Sequence, residues 1–524
     1  MSPGAWWSNA AFYQVYPRSF ADSNGDGVGD IDGLVAHLDH LVALGIDAIW
    51  LSPVTVSPMA DHGYDVADPR DIDPLFGGMP AIERLIAAAH ELDIKITMDV
   101  VPNHTSSQHP WFQAALAAGP GTDARERYWF RDGKGPDGVL PPNNWTSVFG
   151  GSAWTRVVEP DGNPGQYYLH LFDTEQPDLN WENPEVFDDF ATSLRFWLDR
   201  RVDGFRIDVA HGMAKPPGLP DAKEGVKVLS HSDDDPRFNN PSVHEIHRGI
   251  RKIVDDYPDA VTIGEVWVMD NLLWAEYLRP DELHLGFNFR LTKIAFDAGE
   301  IHDAIENSLK AIAIYDAVPT WTLSNHDVDR DVTRYGGGKI GLRRARAMAM
   351  AMVMLALPGT VFIYNGEELG LPDVLDLPEE VLQDPTWERS GHTERGRDKC
   401  RVPLPWSGDA PPFGFSSSPD TWLPMPADWA PLTVEKQDAD PNSTLSFFRT
   451  ALELRRDRAE FDGVELQWLA ATPETLVFRR STGGLVCALN TGKRPMALPA
   501  GELIFASAPL VDGQLPTDTV AWLV

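Results

Sequence analysis

Along the first hundred residues, two rhythms of apolar positions take turns. Short, nearly continuous apolar runs, AFYQVYPRSF (11–20), IDAIWLSPV (46–54) and IKITMDVV (94–101), alternate with DGLVAHLDHLVALG (32–45) and PAIERLIAAAHELD (80–93), where apolar residues recur at helical spacing. Apolar strands separated by amphipathic helices predict a parallel sheet covered on both faces. The rhythm breaks after residue 103. The following stretch, exemplified by GKGPDGVLPPNNWTSVFGGSAW (133–154), is rich in Gly, Pro, Asn and Trp. A loop that long has functional content or forms a small domain of its own.

Alternation resumes with the helix PEVFDDFATSLRFWLDRR (184–201) and the strand VDGFRIDVA (202–210). It continues through AVTIGEVWV (260–268), LHLGFNF (283–289), AVPTWTLSN (317–325) and TVFIYNG (360–366), with a final helix at 443–457. Eight strand candidates up to Tyr364 predict an α/β fold, a TIM-type (β/α)8 barrel with an insertion after strand three. Beyond residue 463, runs such as TLVFRRSTGGLVCALN (475–490), with a Gly-Gly turn, predict a C-terminal antiparallel β-sandwich. The expected domains are therefore a barrel in two parts, 1–103 and 172–462, an insertion at 104–171 and a C-terminal sheet domain at 463–524. The uncharged run AMAMAMVMLALPGTVFIY (347–364) is interrupted by Pro358 and Gly359, so a buried helix, turn and strand fit it better than a membrane span.

Composition narrows the function. The 524 residues are 43% hydrophobic and 23% charged, ordinary for a globular chain, but 78 acidic against 44 basic residues give a formal charge of −34. Such a surface repels nucleic acid and anionic membranes and suits neutral or cationic ligands. The two cysteines, Cys400 and Cys487, form no disulfide framework, and the N-terminal stretch lacks the basic and apolar regions of a signal peptide. A cytoplasmic location is the expectation.

In a TIM-type barrel, chemistry gathers where strands end at their C-terminal side. Strand three ends in Asn103 and His104, strand five in Glu265, and strand seven in His326 and Asp327. Strand four carries DGFRIDVAH (203–211), in which Arg206 and Asp208, two apart, share one face while Phe205 and Ile207 share the other. Taken alone, that pair reads equally as a structural ion pair or as a carboxylate kept charged for nucleophilic attack.

The strings DVVPNH, GFRIDVAH, GEVW and SNHD, in this order, resemble the signatures of the α-amylase family of glycoside hydrolases, family 13. QPDLN (176–180) and GRDKCRVPLPW (396–406) resemble its oligo-1,6-glucosidase and α-glucosidase branch. The resemblance implies a retaining enzyme with Asp208 as nucleophile, Glu265 as general acid/base with an elevated pKa, and Asp327 binding sugar hydroxyls. Nucleophile and acid/base should then lie about 5–5.5 Å apart. It further implies that Arg206 keeps Asp208 ionised. In DHGYD (61–65), Asp61 and Tyr64 would clasp the terminal sugar. His104 and His326 would donate hydrogen bonds to it, and Arg401 would pair with the hydroxyl-binding carboxylates.

DSNGDGVGD (22–30) sets oxygen donors at alternate positions: Asp22, Asn24, Asp26, the Val28 carbonyl and Asp30. Such spacing suits a hard cation without being an EF-hand, and it resembles the structural calcium loop of this branch. Val209, directly after the nucleophile position, resembles the α-1,6-tolerant members. The expected activity is exo-acting release of glucose from short α-glucosides, with no organic cofactor. The alternative is a glucosyl-transferring or isomerising relative of the sucrose isomerase or trehalose synthase type.

Overall fold

The computed structural model describes residues 4–223, 234–481 and 483–524; Met1–Pro3, part of the stretch read for a leader, lie outside them. Eight parallel strands build the centre: β1 (Ala11–Val15), β2 (Ala48–Leu51), β3 (Lys95–Val100), β4 (Gly204–Ile207), β5 (Val261–Gly264), β6 (Leu285–Gly286), β7 (Thr320–Thr322) and β8 (Thr360–Tyr364). Each expected strand is present. They pair in the order β6-β5-β4-β3-β2-β1-β8-β7. The remaining seam, between β6 and β7, is bridged by the Thr320 hydroxyl donating to the Gly286 carbonyl. The result is a (β/α)8 barrel.

Alternation decides what lies inside. Phe205 and Ile207 of β4 point outward into the large core shared with the surrounding helices. The inward positions Phe12, Trp50, Ile263, Leu285 and Phe362 form a separate core, joined by Phe287. Phe12 stacks on Phe362 at 4.8 Å, and Trp50 packs on Phe287 at 5.0 Å. An aromatic plug thus fills the barrel and floors whatever sits at the strand C-termini.

The helices follow the sequence pattern closely, with one difference. The stretch 32–45, one helix by its periodicity, is two, Ile31–Val35 and Leu38–Leu44. Asp30 caps the first by accepting the Gly33 N–H, and Gly45, with φ 86°, closes the second in the left-handed region. The uncharged run is the helix Ile340–Ala356, then Pro358 and Gly359, then β8. No helix among the described residues is long and apolar enough to cross a membrane.

After β3 comes an antiparallel three-stranded sheet, Phe130–Arg131, Pro164–Leu169 and Trp154–Val158. Its aromatic cluster of Trp129, Trp145, Trp154 and Tyr167 packs on Val209 and Phe238 from the loop that follows β4. That contact makes the insertion a wall beside the strand ends. At the C-terminus, five antiparallel strands form one sheet, and Met496–Ala497 pairs with Gln514–Leu515 in a reduced second layer. A small core of Val477, Val486, Ala488, Leu515, Ala521 and Leu523 lies among these strands.

Two buried arginines dock this end of the chain on the barrel. The last carbonyls of helix Ile340–Ala356 have no partner in their own helix. Arg455, on helix Thr444–Asp457, donates to the Leu355, Leu357 and Gly359 carbonyls. Arg480, on strand Thr475–Arg480, donates to Ala356, Phe461 and Gly463. Both cations also face the negative end of the helix dipole. Arg480→Met keeps the apolar stem but strips three carbonyls of their donor. The expected loss is about 2 kcal/mol, read as a lower midpoint in guanidinium unfolding with kcat unchanged.

Candidate active site

Strand register assembles the centre. In the β3–β4–β5 ladder, Arg206 stands beside Asp99 on one side and Ile263 on the other. One step further, Asp208 N–H donates to the Val100 carbonyl and Glu265 N–H to the Ile207 carbonyl. The Arg206 guanidinium meets three carboxylates: Nη1 lies 2.8 Å from Asp99 and 2.6 Å from Asp208, and Nη2 lies 2.9 Å from Glu265. Trp50 and Tyr64 also donate to Asp99, at 2.9 and 3.0 Å. Arg206 lies over the Trp50 ring at 5.1 Å, on the aromatic floor.

Three buried carboxylates on one cation cannot all keep full charge cheaply. Burial pushes Asp208 well above the carboxylate range, against the pull of Arg206, and the charges of Glu265 and Asp99 add to the rise. Burial likewise lifts Asp99 to about 6. Arg206 is held well above its usual value by its carboxylate partners despite burial. The sequence expectation had Arg206 keep Asp208 ionised; in the fold, burial outweighs the pull of an arginine that three carboxylates share. The reason is geometric. Glu265 accepts three donors, from Arg206, the Val209 N–H at 2.9 Å and the Trp267 indole at 2.9 Å, whereas Asp208 accepts Arg206.

Val209 is itself unusual, since a β-branched residue at φ 43° is a backbone outlier. That turn swings its N–H onto Glu265.

Asp327 forms a second charge centre. Its Oδ1 accepts Arg397 at 2.9 Å and Arg401 at 3.0 Å, and Oδ2 lies 3.3 Å from His326 Nε2. Burial would raise it, but His326, Arg397, Arg401 and Arg206 hold it well below the usual range. Arg397 also reaches Asp61 at 2.8 Å and Asp384 at 2.6 Å. Sequence reasoning chose Arg401 to pair with the hydroxyl-binding carboxylates. In the fold Arg401 meets Asp327, while Arg397, in the same GRDKCRVPLPW string, spans Asp61 and Asp327. Burial lifts Asp61 to about 7, against Arg397.

The histidines are neutral by burial. His326 is pushed well below its usual value and His104 to about 4. Tyr64 donates to Asp99, so its oxygen accepts from His326 Nε2 at 2.7 Å. Tyr64 stacks on the same imidazole at 5.4 Å. His104 Nε2 lies 3.1 Å from the Tyr64 carbonyl, and Asn103 donates to its Nδ1. Behind it, Lys215 and Asp178 form a fully buried pair at 2.7 Å that joins QPDLN to the loop after β4.

Asp61, Tyr64, His104, Asp208, Glu265 and Asp327 all line one cavity of about 590 Å³. Arg206, His326 and Arg401 stand behind that lining. Gln176, which donates to Asp61, and Trp267 and Asp99 complete the site. Each lies within a quoted motif, but only the fold shows what it touches.

Residues 22–30 lie apart, against residues 415–422. Asp22 accepts the N–H groups of Asn24, Gly25 and Gly27, Asn24 that of Asp26, Asp26 that of Val28, and Asp30 those of Ser23 and Gly33. Among the described residues no group of three or more His, Cys, Asp or Glu is gathered to hold a metal. A cation here must draw on the Asn24 amide and backbone oxygens as well.

The model of the α-amylase catalytic domain matches residues 14–462. A probable α-glucosidase of Rhizobium meliloti (strain 1021) is 37% identical over 510 residues, 93% of this chain and 89% of its own. An oligo-1,6-glucosidase of Parageobacillus thermoglucosidasius is 36% identical over 488 residues, 86% of this chain and 84% of its own. Among solved structures, an α-glucosyl transfer enzyme, XgtA, superposes with a TM-score of 0.88 at 38% identity, covering 99% of this chain and 100% of its own. With a barrel whose strand ends bring three carboxylates to one cavity and relatives of this likeness along nearly its whole length, the chain belongs to the α-amylase family of glycoside hydrolases, family 13.

Proposed function

We propose that the chain is a retaining, exo-acting α-glucosidase that releases glucose from the non-reducing end of short α-glucosides. The observation that carries this reading is the single Arg206 guanidinium joining Asp208 to Glu265 in a cavity that Asp327 also faces. Glycosidic cleavage with retention needs one carboxylate to attack and a neighbouring carboxyl to give a proton. This reading needs one proton on the pair. When a glycosidic oxygen sits against Glu265, that proton belongs on Glu265, where an acceptor is waiting. Asp208 is then the charged partner. It attacks the anomeric carbon as the leaving oxygen takes the Glu265 proton. Water, deprotonated by Glu265, later frees α-glucose.

Asp61, Asp327 and the Arg397 between them supply acceptors and a donor fork for the hydroxyls of a terminal sugar, the grip that exo action requires. His104, Tyr64 and His326 line or support the same end. Val209 favours tolerance of α-1,6 bonds, a preference of about 1–3 kcal/mol for one such wall change. A second reading, glucosyl transfer, is favoured by the similarity to an α-glucosyl transfer enzyme. The two free, buried cysteines fit a reducing compartment, hence the cytoplasm. The acidic surface argues against nucleic acid or membrane partners.

Asp208→Asn is expected to lower turnover of maltose by about 10⁴-fold or more while leaving the melting temperature within a few degrees. Near-normal turnover would sink the nucleophile assignment. In a proton NMR time course with maltose, isomaltose and sucrose, the parent should release α-glucose first. A new disaccharide accumulating without net glucose would establish the transfer reading instead.

Asp61 carries a pH prediction. The unfolded side chain titrates near its ordinary 3.8 and the folded one near 7. Between these values the folded state holds a proton that the unfolded state lacks, so this group's contribution falls as pH rises. Asp61→Asn lacks that loss, so its unfolding midpoint should gain on the parent from pH 4 to pH 7.5. Its KM should rise about 10-fold or more at either pH. A constant gap in midpoint would remove the assigned burial effect.

Calcium at residues 22–30 is part of the proposal, on the strength of its alternating oxygen donors. Added calcium should raise the melting temperature and a chelator lower it, at unchanged kcat. No response to either would remove the ion from the reading.

A further inference from the structure

The two oxygens of Glu265 are held differently. Oε2 accepts both Arg206 Nη2 and the Val209 N–H, each at 2.9 Å. A carboxyl oxygen offers two in-plane lone pairs, so both on Oε2 are taken. Arg206 also joins that edge to Asp208, so a proton resting there would be shared with the nucleophile. Oε1 accepts the Trp267 indole N–H at 2.9 Å and keeps its second lone pair. A proton that Asp208 does not share therefore has one seat on Glu265, the free lone pair of Oε1.

The geometry points to Trp267 as a positioning residue for acid catalysis: its indole N–H fixes Glu265 Oε1 so that the proton carried there faces the glycosidic oxygen. This rests on the reading of Glu265 as the acid. The indole is built to stay in place. It stacks on Phe289 at 3.9 Å with planes 12° apart, and Phe289 belongs to the aromatic plug of the barrel. The Lys293 ammonium lies 5.0 Å from the indole centroid, and a cation there draws electron density from the ring, which strengthens the N–H as a donor. Both Trp267 and Lys293 line the cavity.

In the first half of the reaction, the Oε1 proton passes to the glycosidic oxygen. That oxygen's bond to the anomeric carbon breaks with its electron pair, and an Asp208 oxygen forms the new bond. The Trp267 N–H, already on Oε1, then bonds the carboxylate that remains. Its benefit grows as the proton leaves, so it acts most where the leaving group most needs that proton.

The test compares leaving groups. Trp267→Phe keeps an aromatic ring on Phe289 and removes the N–H. On maltose, whose departing sugar hydroxyl must be protonated, kcat/KM should fall about 10–100-fold. On 2,4-dinitrophenyl α-glucoside, whose phenolate leaves unaided, it should change less than about 3-fold. An equal loss on both substrates would make Trp267 merely structural, and no loss on either would leave it without a role; both overturn the proposal. If Trp267→Phe does not fold, as judged by its melting curve, benzothiophene in place of the indole keeps the shape with sulfur for N–H and answers the same question. Glu265→Gln is measured alongside. If it shows no selectivity between leaving groups, the acid assignment falls and Trp267 with it. If it does and the Trp267 variants do not, only the role of Trp267 falls.

Discussion

Everything at the mouth of this barrel is arranged around the shortage of positive charge beside three buried carboxylates. Both terminal nitrogens of Arg206 are engaged by Asp99, Asp208 and Glu265, and the aromatic plug beneath it offers no further charge to share the load. A charge deficit in a low-dielectric floor is costly unless a proton is retained. Retaining one is also what acid-catalysed glycoside cleavage requires. The constraint and the chemistry are thus the same fact, seen once as stability and once as function.

The second charge centre obeys a different balance. Around Asp327, Arg397 and Arg401 are in excess, and the carboxylate stays ionised. Arg397 is itself anchored by Asp384, which caps the helix Pro385–Arg389 and accepts both the Arg397 side chain and its backbone N–H. Burial thus raises Asp208 on one side of the cavity while the arginines hold Asp327 low on the other, and the two are separated by which arginines reach them. The insertion sheet stands beside the cavity because its aromatic residues rest on Val209 and Phe238, in the chain that leaves β4.

Much of this was legible in the sequence. All eight barrel strands are short apolar runs bounded by turn signals, and the carboxylates Asp208, Glu265 and Asp327 follow the strand ends, where alternation and motif agree. The split at Ala36 and His37 was not legible, since both halves of that helix share one amphipathic period. Nor was the role of Arg397. GRDKCRVPLPW offers two arginines four apart, and only the folded loop shows that Arg397 reaches across to Asp61 while Arg401 turns back to the His326 carbonyl. The number of donors each carboxylate meets is not legible either. Backbone turns such as that of Val209 set that number, and residue identity does not.

The left-handed turn at Val209 ties together two properties that enzymology treats as separate. The side chain at this position lines the cavity and its main chain holds Glu265; in the proposed function the first discriminates bond types and the second donates the proton. Only glycine would sit there without strain, and glycine would also loosen the N–H that grips Glu265. Altering this residue to retune preference between sugars would therefore retune the speed of bond cleavage in the same stroke. A selectivity change at position 209 and a rate change should be inherited together, and evolution or engineering that wants one alone must look elsewhere on the wall.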